Sequence, residues 1–376
     1  MKTIILVAVI TLTVYLPAGV DALVDESARQ LRIRAESTPL LVGAKGSEAD
    51  LVLNSLYFES EPPMPTKMAE VQRIRESEYA KPIPLYVHFR TKGKPIVGTS
   101  LDYFEFRNLQ ITSGRQFAML GECVVGSEIA KQLELVPGAS LLSESENMFD
   151  LAGVYPLKMK VVGVLKPADS PDDDAVFVDV KTTWIIAGLG HGHQDLTEDE
   201  SGEQLLERDG DTLVANASVR NYTEINAKNA GSFHFHGETN SFPLTAIIAV
   251  PQDARSQTLL MGRYQSANKI SQIVQPISVM EELLASVLRV RTFILAGVLL
   301  LGVATSLSVL LVFALSLRLR KQEIDTMRKL GVARFRLLFI IAWEILLVIG
   351  LSGTLAAGLT LATQQFGEQV IHWFLL

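Results

Sequence analysis

The stretch SLRLRKQEIDTMRKLGVARFRLL, Ser316 to Leu338, is a short charged segment between two long apolar runs. One run extends from Thr292 to Leu317 without a charge, and the other from Leu337 to Thr363 with only Glu344. Each run exceeds the roughly 20 residues that a helix needs to cross a bilayer. Because a tight turn would connect two membrane helices with fewer residues, we expect the charged segment to have a task of its own.

The charged segment has the pattern of a short amphipathic helix. Ile324, Met327 and Leu330 recur at three-residue intervals and therefore share one helical face, and Gly331 follows where a helix C-cap is expected. Basic residues alone are explained by binding to anionic lipid headgroups. The apolar face, the internal acidic residues and the glycine are better explained by docking into a groove of another protein. The pattern therefore favours a partner-binding helix on the membrane surface.

Positive charge gives the orientation of the chain. The segment from Arg318 to Arg336 has a net charge of +5, which marks it as cytoplasmic. A third apolar run, Thr3 to Val20, follows Lys2 and is compatible with a membrane anchor or with a cleaved signal peptide. In either case residues 21–291 lie outside the cytoplasm. Their net charge is −11, so we expect no binding of nucleic acid.

The exterior region is large enough to fold as a globular body. Its predicted strands include Leu157 to Pro167 and Ala175 to Val180, on either side of the acidic loop Ala168 to Asp174. Helical patterns alternate with such strands, which predicts an α+β fold. Residues 189–243 are polar and rich in Gly, His and acidic residues, which indicates an inserted or peripheral lobe. The single cysteine, Cys123, excludes an intramolecular disulfide.

The charged segment also carries a resemblance to a known family. The pattern R-x-x-E-I-x-x-M-x-x-L-G, followed by a second apolar helix with Glu, resembles the signature of the MacB/FtsX-type ABC transporter permeases. It is represented here by Arg320, Glu323, Ile324, Met327, Leu330, Gly331 and Glu344. Stretches of the exterior region are similar to MacB-type periplasmic core domains: Ala35 to Ser47, Gly121 to Gly138 and Val161 to Val180.

The resemblance implies a membrane protein with about three transmembrane helices and a large α+β MacB-like periplasmic domain inserted between the first and second. The implied domains are an N-terminal transmembrane anchor at 1–20, the periplasmic core at 21–291 and an FtsX-like transmembrane domain at 292–376. Within the last, residues 320–331 are the implied coupling helix. The family retains its first helix, which favours the anchor over a cleaved signal. The family also has three helices after the domain, whereas this sequence shows two, so a terminal helix is expected to be missing or replaced.

The implied function is that of a permease subunit in a bacterial inner membrane. In this family a separate cytoplasmic ATPase binds the coupling helix, two permease copies pair, and ATP-driven motion does work on the periplasmic side, such as export or lipoprotein handling. A periplasmic substrate-binding or adaptor protein is a further expected partner. The sequence has no G-x-x-x-x-G-K-[ST] loop and no G-x-S-x-G motif, so we expect no ATPase or other enzyme activity in this chain.

Glu344 lies within an apolar run, where a carboxylate is costly and often marks an ion path. Its position near one end of the run favours a structural role, in which the carboxylate reaches the interface or binds a neighbouring helix.

Two H-x-H pairs indicate a different chemistry in the polar lobe. In an extended strand the two members of such a pair point the same way, so two pairs offer up to four imidazoles to zinc, with Asp195 and Glu238 as nearby carboxylates. The pairs are His191 with His193 and His234 with His236. The same sequence is also explained by two polar loops that are rich in histidine by chance and do not meet in the fold. The alternative function is a membrane-anchored periplasmic zinc-binding or sensory protein.

Overall fold

The structure of the protein is a computed structural model that describes residues 2–144, 156–192, 205–209, 212–215, 223–226, 229–265, 270–330 and 334–375. The helices are α1 Lys2–Glu36, α2 Glu48–Tyr57, α3 Met68–Ser77, α4 Asp102–Phe106, α5 Ser127–Gln132, α6 Val180–Ile186, α7 Ala254–Tyr264, α8 Pro276–Leu319, α9 Lys321–Lys329 and α10 Arg334–Leu375.

The strands are β1 Leu40–Ala44, β2 Thr66–Lys67, β3 Ala80–Thr91, β4 Lys94–Thr99, β5 Ile111–Gly114, β6 Glu122–Val125, β7 Ser140–Leu142, β8 Leu157–Leu165, β9 Val176–Asp179, β10 Gly190–Gly192, β11 Leu205–Asp209, β12 Thr212–Ala215, β13 Thr223–Glu224, β14 Phe233–Phe235, β15 Pro243–Leu244, β16 Ala246–Pro251 and β17 Ser271–Val274.

A mixed sheet of 11 strands forms the centre of the exterior region. Its order is β13-β8-β6-β9-β4-β3-β16-β1-β17, and β5 and β7 both pair with β8. β4–β9, β6–β8 and β13–β8 are parallel, and the other pairs are antiparallel. The central strands are short apolar runs, such as Val176–Asp179, because helices cover the sheet and leave these residues buried. The predicted α+β fold is confirmed.

The chain divides into two compact units, one of Arg34–Met280 and one of Met1–Ile33 with Glu281–Leu376. The predicted exterior domain, 21–291, is wider at both ends. The reason is that α1 continues without interruption to Glu36 and α8 already begins at Pro276, so the flanking residues are helical extensions of the apolar spans. The prediction placed the domain boundaries at the ends of the apolar runs, whereas the two compact units divide within the helices that continue from those runs.

Three helices in the described part of the chain are long and apolar enough to cross a membrane: Thr3–Ala22, Thr292–Leu319 and Ala342–Thr363. Within this helical unit α1 contacts α10. The hydroxyl of Ser352 donates to the carbonyl of Val7 at 3.3 Å, and the hydroxyls of Tyr15 and Thr363 lie 2.8 Å apart. The prediction of about three such helices is confirmed, and their bounds differ from those of the predicted apolar runs by at most five residues.

The polar lobe at 189–243 is described only in part. β10 pairs with β14, β11 pairs with β12, and β13 adds a short parallel edge to β8 of the main sheet. His193 and Asp195 lie outside the described residues.

Candidate functional site

Three histidines meet on one side of the small sheet formed by β10 and β14. The antiparallel register places His191 opposite His234. His236 follows two residues after His234 and therefore points to the same side. The prediction grouped four histidines here, and the structure brings together these three, whereas His193 lies outside the described residues.

The other side of this small sheet carries the aromatic residues that hold it in place. Phe235 alternates with His234 and packs edge-on against Trp184, with ring centroids 6.1 Å apart. Gly190 and Gly192 flank His191, and a Cβ at either glycine would lie 2.6–2.7 Å from a phenylalanine ring of β14. The glycines therefore let the two strands approach closely, and the histidine side is turned outward.

The imidazole rings are close together and exposed. The Nε2 atoms of His191 and His236 lie 3.3 Å apart. One ring nitrogen from each of the three histidines lies within 4.8 Å of the others. The Nδ1 of His234 lies 3.2 Å from the carbonyl oxygen of Ser232. Glu238, a predicted carboxylate neighbour, is not a member of this group in the described part of the chain.

A second constellation, which the sequence did not reveal, is a buried ion pair in the sheet-containing unit. Arg34 lies in the last turn of α1 and Asp172 in a short 3-10 helix, Pro171–Asp174. The guanidinium of Arg34 donates to both carboxylate oxygens of Asp172, at 2.6 and 2.9 Å, and to the carbonyl oxygen of Leu56 at 2.5 Å. Only 7% of Arg34 and 1% of Asp172 is exposed.

Tyr103 completes this buried cluster. Its hydroxyl donates to Asp172 at 2.7 Å and accepts from Arg34 at 3.0 Å. Burial, reinforced by the charge of Asp172, raises the pKa of Tyr103 to about 12. Burial opposes the charged form of Asp172, but the charge and hydrogen bonds of Arg34 outweigh it and hold the pKa of that carboxyl below its usual range. The cluster is therefore an arginine–carboxylate pair with a neutral tyrosine.

The local sequence explains how Asp172 is presented. In ADSPDDD the hydroxyl of Ser170 accepts from the backbone N–H of Asp172, and the carboxylate of Asp173 accepts from the N–H of Ser170 at 3.3 Å. This reciprocal cap starts the 3-10 helix after an extended residue. Pro171 at the first position has no N–H to leave unpaired. From its sequence this segment is predicted only as an acidic loop. The capping pattern of Ser170 and Asp173 was the signal that could have indicated the start of a helix.

A helix is present where the coupling helix is predicted: α9, Lys321–Lys329, lies between the long helices α8 and α10. Met327 and Leu330 are exposed, and Ile324 is half-buried. Gly331 lies outside the described residues, and of Glu323 only the helical backbone is described. Leu330, predicted to be on the helix, is in the turn after it.

Arg320 and Glu344 form an ion pair within the helical unit. Arg320 lies in the turn between α8 and α9, and its guanidinium is 3.2 Å from the carboxylate of Glu344 on α10. The side chains of Arg320 and Glu344 are each about half exposed. The prediction placed Arg320 on the partner-binding helix, and the structure directs its side chain to Glu344.

The single thiol has no catalytic environment. Cys123 lies on β6 and is fully buried. Burial, followed by the charge of Glu122, raises the pKa of Cys123 well above its ordinary value. A thiol of this kind is inert as a nucleophile.

Comparison with known proteins gives a family. Residues 3–229 match the family described as the MacB-like periplasmic core domain. Similar solved structures include the extracellular domain of the noncanonic ABC-type transporter YknZ from Gram-positive bacteria, at 12% identity and a TM-score of 0.34, covering 62% of this chain and 98% of that one. The periplasmic region of MacB from Actinobacillus actinomycetemcomitans is similar at 9% identity and a TM-score of 0.35, covering 66% of this chain and 94% of that one. No curated protein matches the chain significantly.

Proposed function

The chain belongs to the MacB-like periplasmic core domain family and is a MacB/FtsX-type ABC transporter permease, and on this premise we propose that it transmits the motion of a cytoplasmic ATPase to its exterior domain. The ATPase is a separate subunit that binds α9. The exterior domain lies in the periplasm of a bacterial inner-membrane protein. The work done there is export or the handling of lipoproteins or other substrates, without a conventional pore.

The observation that carries this proposal is α9 itself. It is a nine-residue helix between two membrane-length helices, and beside its basic residues it presents Met327, which is 43% exposed. Leu330, in the turn directly after it, is 79% exposed. Exposed apolar side chains at helical spacing are typical of a helix that docks into a groove. An amphipathic helix that rests on lipid headgroups has the same spacing, so the two interpretations require an experiment.

The path for transmission is proposed to follow the two long helices. α1 contains the first apolar span and has in its last turn Arg34, the residue buried against Asp172 in the exterior domain. α8 begins at Pro276 and ends at Leu319, directly before the turn that contains Arg320. Both helices continue along the chain from one compact unit into the other, and for this reason they are the proposed carriers of a displacement that starts at the cytoplasmic end.

A second permease copy is part of the proposal. Ser352 and Ala356 of α10 are buried, whereas Gly350, Gly353 and Gly358 have no atom within 4 Å of where a side chain would begin. Small residues allow close helix contact in a membrane, so this open side of α10 suits a paired permease. The alternative, a membrane-anchored zinc-binding or sensory protein, depends on the histidine cluster alone and needs no second subunit.

The docking of α9 is tested by charge placement. We expect the double variant Ile324→Asp with Met327→Asp to lose co-purification of the P-loop ATPase that accompanies the wild-type chain, because two carboxylates cannot enter an apolar groove without a large desolvation cost. The measurement is the amount of ATPase recovered per permease after affinity purification in mild detergent.

The matched control is Gln322→Asp with Thr326→Asp, which adds the same charge on another face of α9. This control should retain the ATPase. Docking through the apolar face is contradicted if the Ile324 and Met327 variant recovers as much ATPase as the wild-type chain. It is also contradicted if the control loses as much ATPase as that variant.

A further inference from the structure

We propose that His191, His234 and His236 form a site for one exchangeable Zn²⁺ ion on the outer surface of the exterior domain. The inference goes beyond the proposed function and does not rest on it, because the site lies within one small sheet and needs neither ATP nor a partner. Zinc would be bound by three imidazoles, with a fourth position left for water or for a donor from another molecule.

The distance between two of the rings already fits a shared ion. Zinc bonds to imidazole nitrogen at about 2.0–2.1 Å, and a tetrahedral angle then separates two ligand nitrogens by about 3.3–3.4 Å. The Nε2 atoms of His191 and His236 lie 3.3 Å apart. The three ligand atoms lie within 4.8 Å of one another, so the two distances to His234 must each shorten by at most about 1.5 Å, which a side-chain adjustment supplies.

One histidine has the hydrogen-bonding arrangement of a metal ligand. A carbonyl oxygen only accepts, so the contact of 3.2 Å between Nδ1 of His234 and the carbonyl of Ser232 makes Nδ1 the protonated nitrogen. The lone pair then remains on Nε2. Histidines that bind metals usually donate their other N–H to a carbonyl or carboxylate, which fixes the tautomer and the direction of the ring. Ser232 supplies this second contact from the backbone.

The scaffold fixes the backbone from which the three rings project before any ion arrives. His191 and His234 are directly opposite in the antiparallel register, and the backbone N–H of His236 donates to the carbonyl of Leu189 at 3.2 Å. On the reverse side, Phe235 packs against Trp184 and Phe242 of the core. Three exposed imidazoles gain no hydrophobic burial from this convergence. Metal binding gives a common reason for all three.

The ligand set selects the class of metal. Imidazole suits Zn²⁺ and its first-row neighbours, whereas Mg²⁺ and Ca²⁺ require oxygen ligands. The described group contains three nitrogens and no carboxylate. Three protein ligands with an open position differ from closed structural zinc sites, which use four. We therefore assign the site to zinc that is received and released.

The test measures zinc binding by the full chain in detergent, produced without a polyhistidine tag and freed of metal by a chelator. Calorimetry with ZnCl₂ should give one site per chain. His191→Ala, His234→Ala and His236→Ala should each weaken zinc binding by at least about 10-fold, because each removes one of three ligands. His88→Ala is the matched control, because His88 is an exposed histidine on β3 outside the cluster, and it should bind as wild type does.

Two further readouts keep the test decisive if one variant folds poorly. Zinc should raise the melting temperature of the wild-type chain and of His88→Ala but not that of the cluster variants. Co²⁺ in place of zinc should give the visible absorption of a tetrahedral site, and the cluster substitutions should remove it. Binding that survives all three substitutions, binding of Cu²⁺ without Zn²⁺, or no zinc heat from the wild-type chain would each overturn the assignment.

The ATPase is not present in these measurements. A loss of ATPase docking through α9 therefore leaves the zinc result unchanged, and a failure to bind zinc leaves the docking result unchanged.

Discussion

Arg34 and Asp172 show how one buried pair can hold the end of a long helix. Both side chains are removed from water. The guanidinium of Arg34 donates to the carboxylate of Asp172, the hydroxyl of Tyr103 and the carbonyl of Leu56. Such a pair contributes little net stability relative to well-packed apolar residues, because desolvation offsets the attraction. Removing only one member of the pair is costly, since the remaining charge is buried without a partner. The pair of Arg34 and Asp172 therefore fixes the position of the end of α1.

We expect Arg34→Met to destabilise the exterior domain by about 3–5 kcal/mol, because it leaves the carboxylate of Asp172 buried and unpaired. The measurement is urea unfolding of the full chain followed by the fluorescence of Trp184, with Trp343 and Trp373 replaced by Phe. Arg32→Met is the control, because Arg32 is exposed two residues earlier on the same helix. A loss below about 1 kcal/mol for Arg34→Met would contradict the anchoring role.

The same pair predicts a pH dependence. The folded pKa of Asp172 is lowered, so the stabilisation is fully present above the ordinary carboxyl pKa of about 4 and is lost as the pH falls below that value toward the folded pKa. Arg34 stays charged throughout. Asp172→Asn removes this dependence, so its deficit in unfolding free energy should shrink between about pH 6 and pH 3. A deficit that stays constant over this interval would contradict the assignment.

The turn from β6 into α5 is the element that positions the 3-10 helix of Asp172. A Cβ at Gly126 would lie 2.2 Å from the carbonyl oxygen of Asp173 and 2.4 Å from that of Asp172. The N–H of Gly126 donates to the carbonyl of Ala175 at 2.9 Å, and the hydroxyl of Ser127 contacts the carboxylate of Asp173 at the same distance. Two elements that are about 45 residues apart therefore approach until their backbones touch.

Gly126→Ala should destabilise the exterior domain by about 1–3 kcal/mol, because the added methyl displaces backbone atoms that cannot rotate away. Gly262→Ala is the control: Gly262 lies within α7, nothing is within 4 Å of its added Cβ, and alanine is the better helix former. The control should be neutral or stabilising. Both are measured by the urea titration used for Arg34, and equal effects would show that the close backbone approach is unimportant.

At the scale of the whole molecule, charge sets the orientation. The segment around α9 is basic, and the exterior region carries a net charge of −11. The positive-inside rule therefore predicts that α9 faces the cytoplasm and that the acidic region faces away from it. The contacts of α1 with Ser352 and Thr363 of α10 would be lost if α1 were a cleaved signal peptide, which adds a reason to expect that α1 is retained.

Labelling of introduced cysteines tests this orientation. Cys123 is fully buried, so the native chain gives little background. We expect Arg255→Cys on α7 to react with a membrane-impermeant maleimide in cells with a permeabilised outer membrane. Lys329→Cys on α9 should react only after lysis. Both positions are exposed in the structure, so access to the reagent is the only difference. Reaction of Lys329→Cys in intact spheroplasts would place α9 outside and remove the ATPase proposal.

The histidine site could be predicted from the sequence in part, and the structure supplied the rest. Alternation in an extended strand is a local property, so the two H-x-H pairs were recognisable as sets of ligands that face one way. Their meeting depends on the antiparallel pairing of β10 with β14, which the sequence between them does not specify. Proposing the site was therefore within reach of the sequence, but selecting His191, His234 and His236 was not.

The amino-acid sequence by itself determined the three apolar helices and the amphipathic helix α9, and it predicts their orientation, because hydropathy, charge bias and helical spacing act over neighbouring residues. Only the tertiary structure decided that Arg34 meets Asp172, 138 residues away, and that three histidines of the polar lobe converge. Such contacts depend on the order and register of strands in a mixed sheet. Many sequences satisfy the same local patterns, and only the packing of the complete core selects one arrangement.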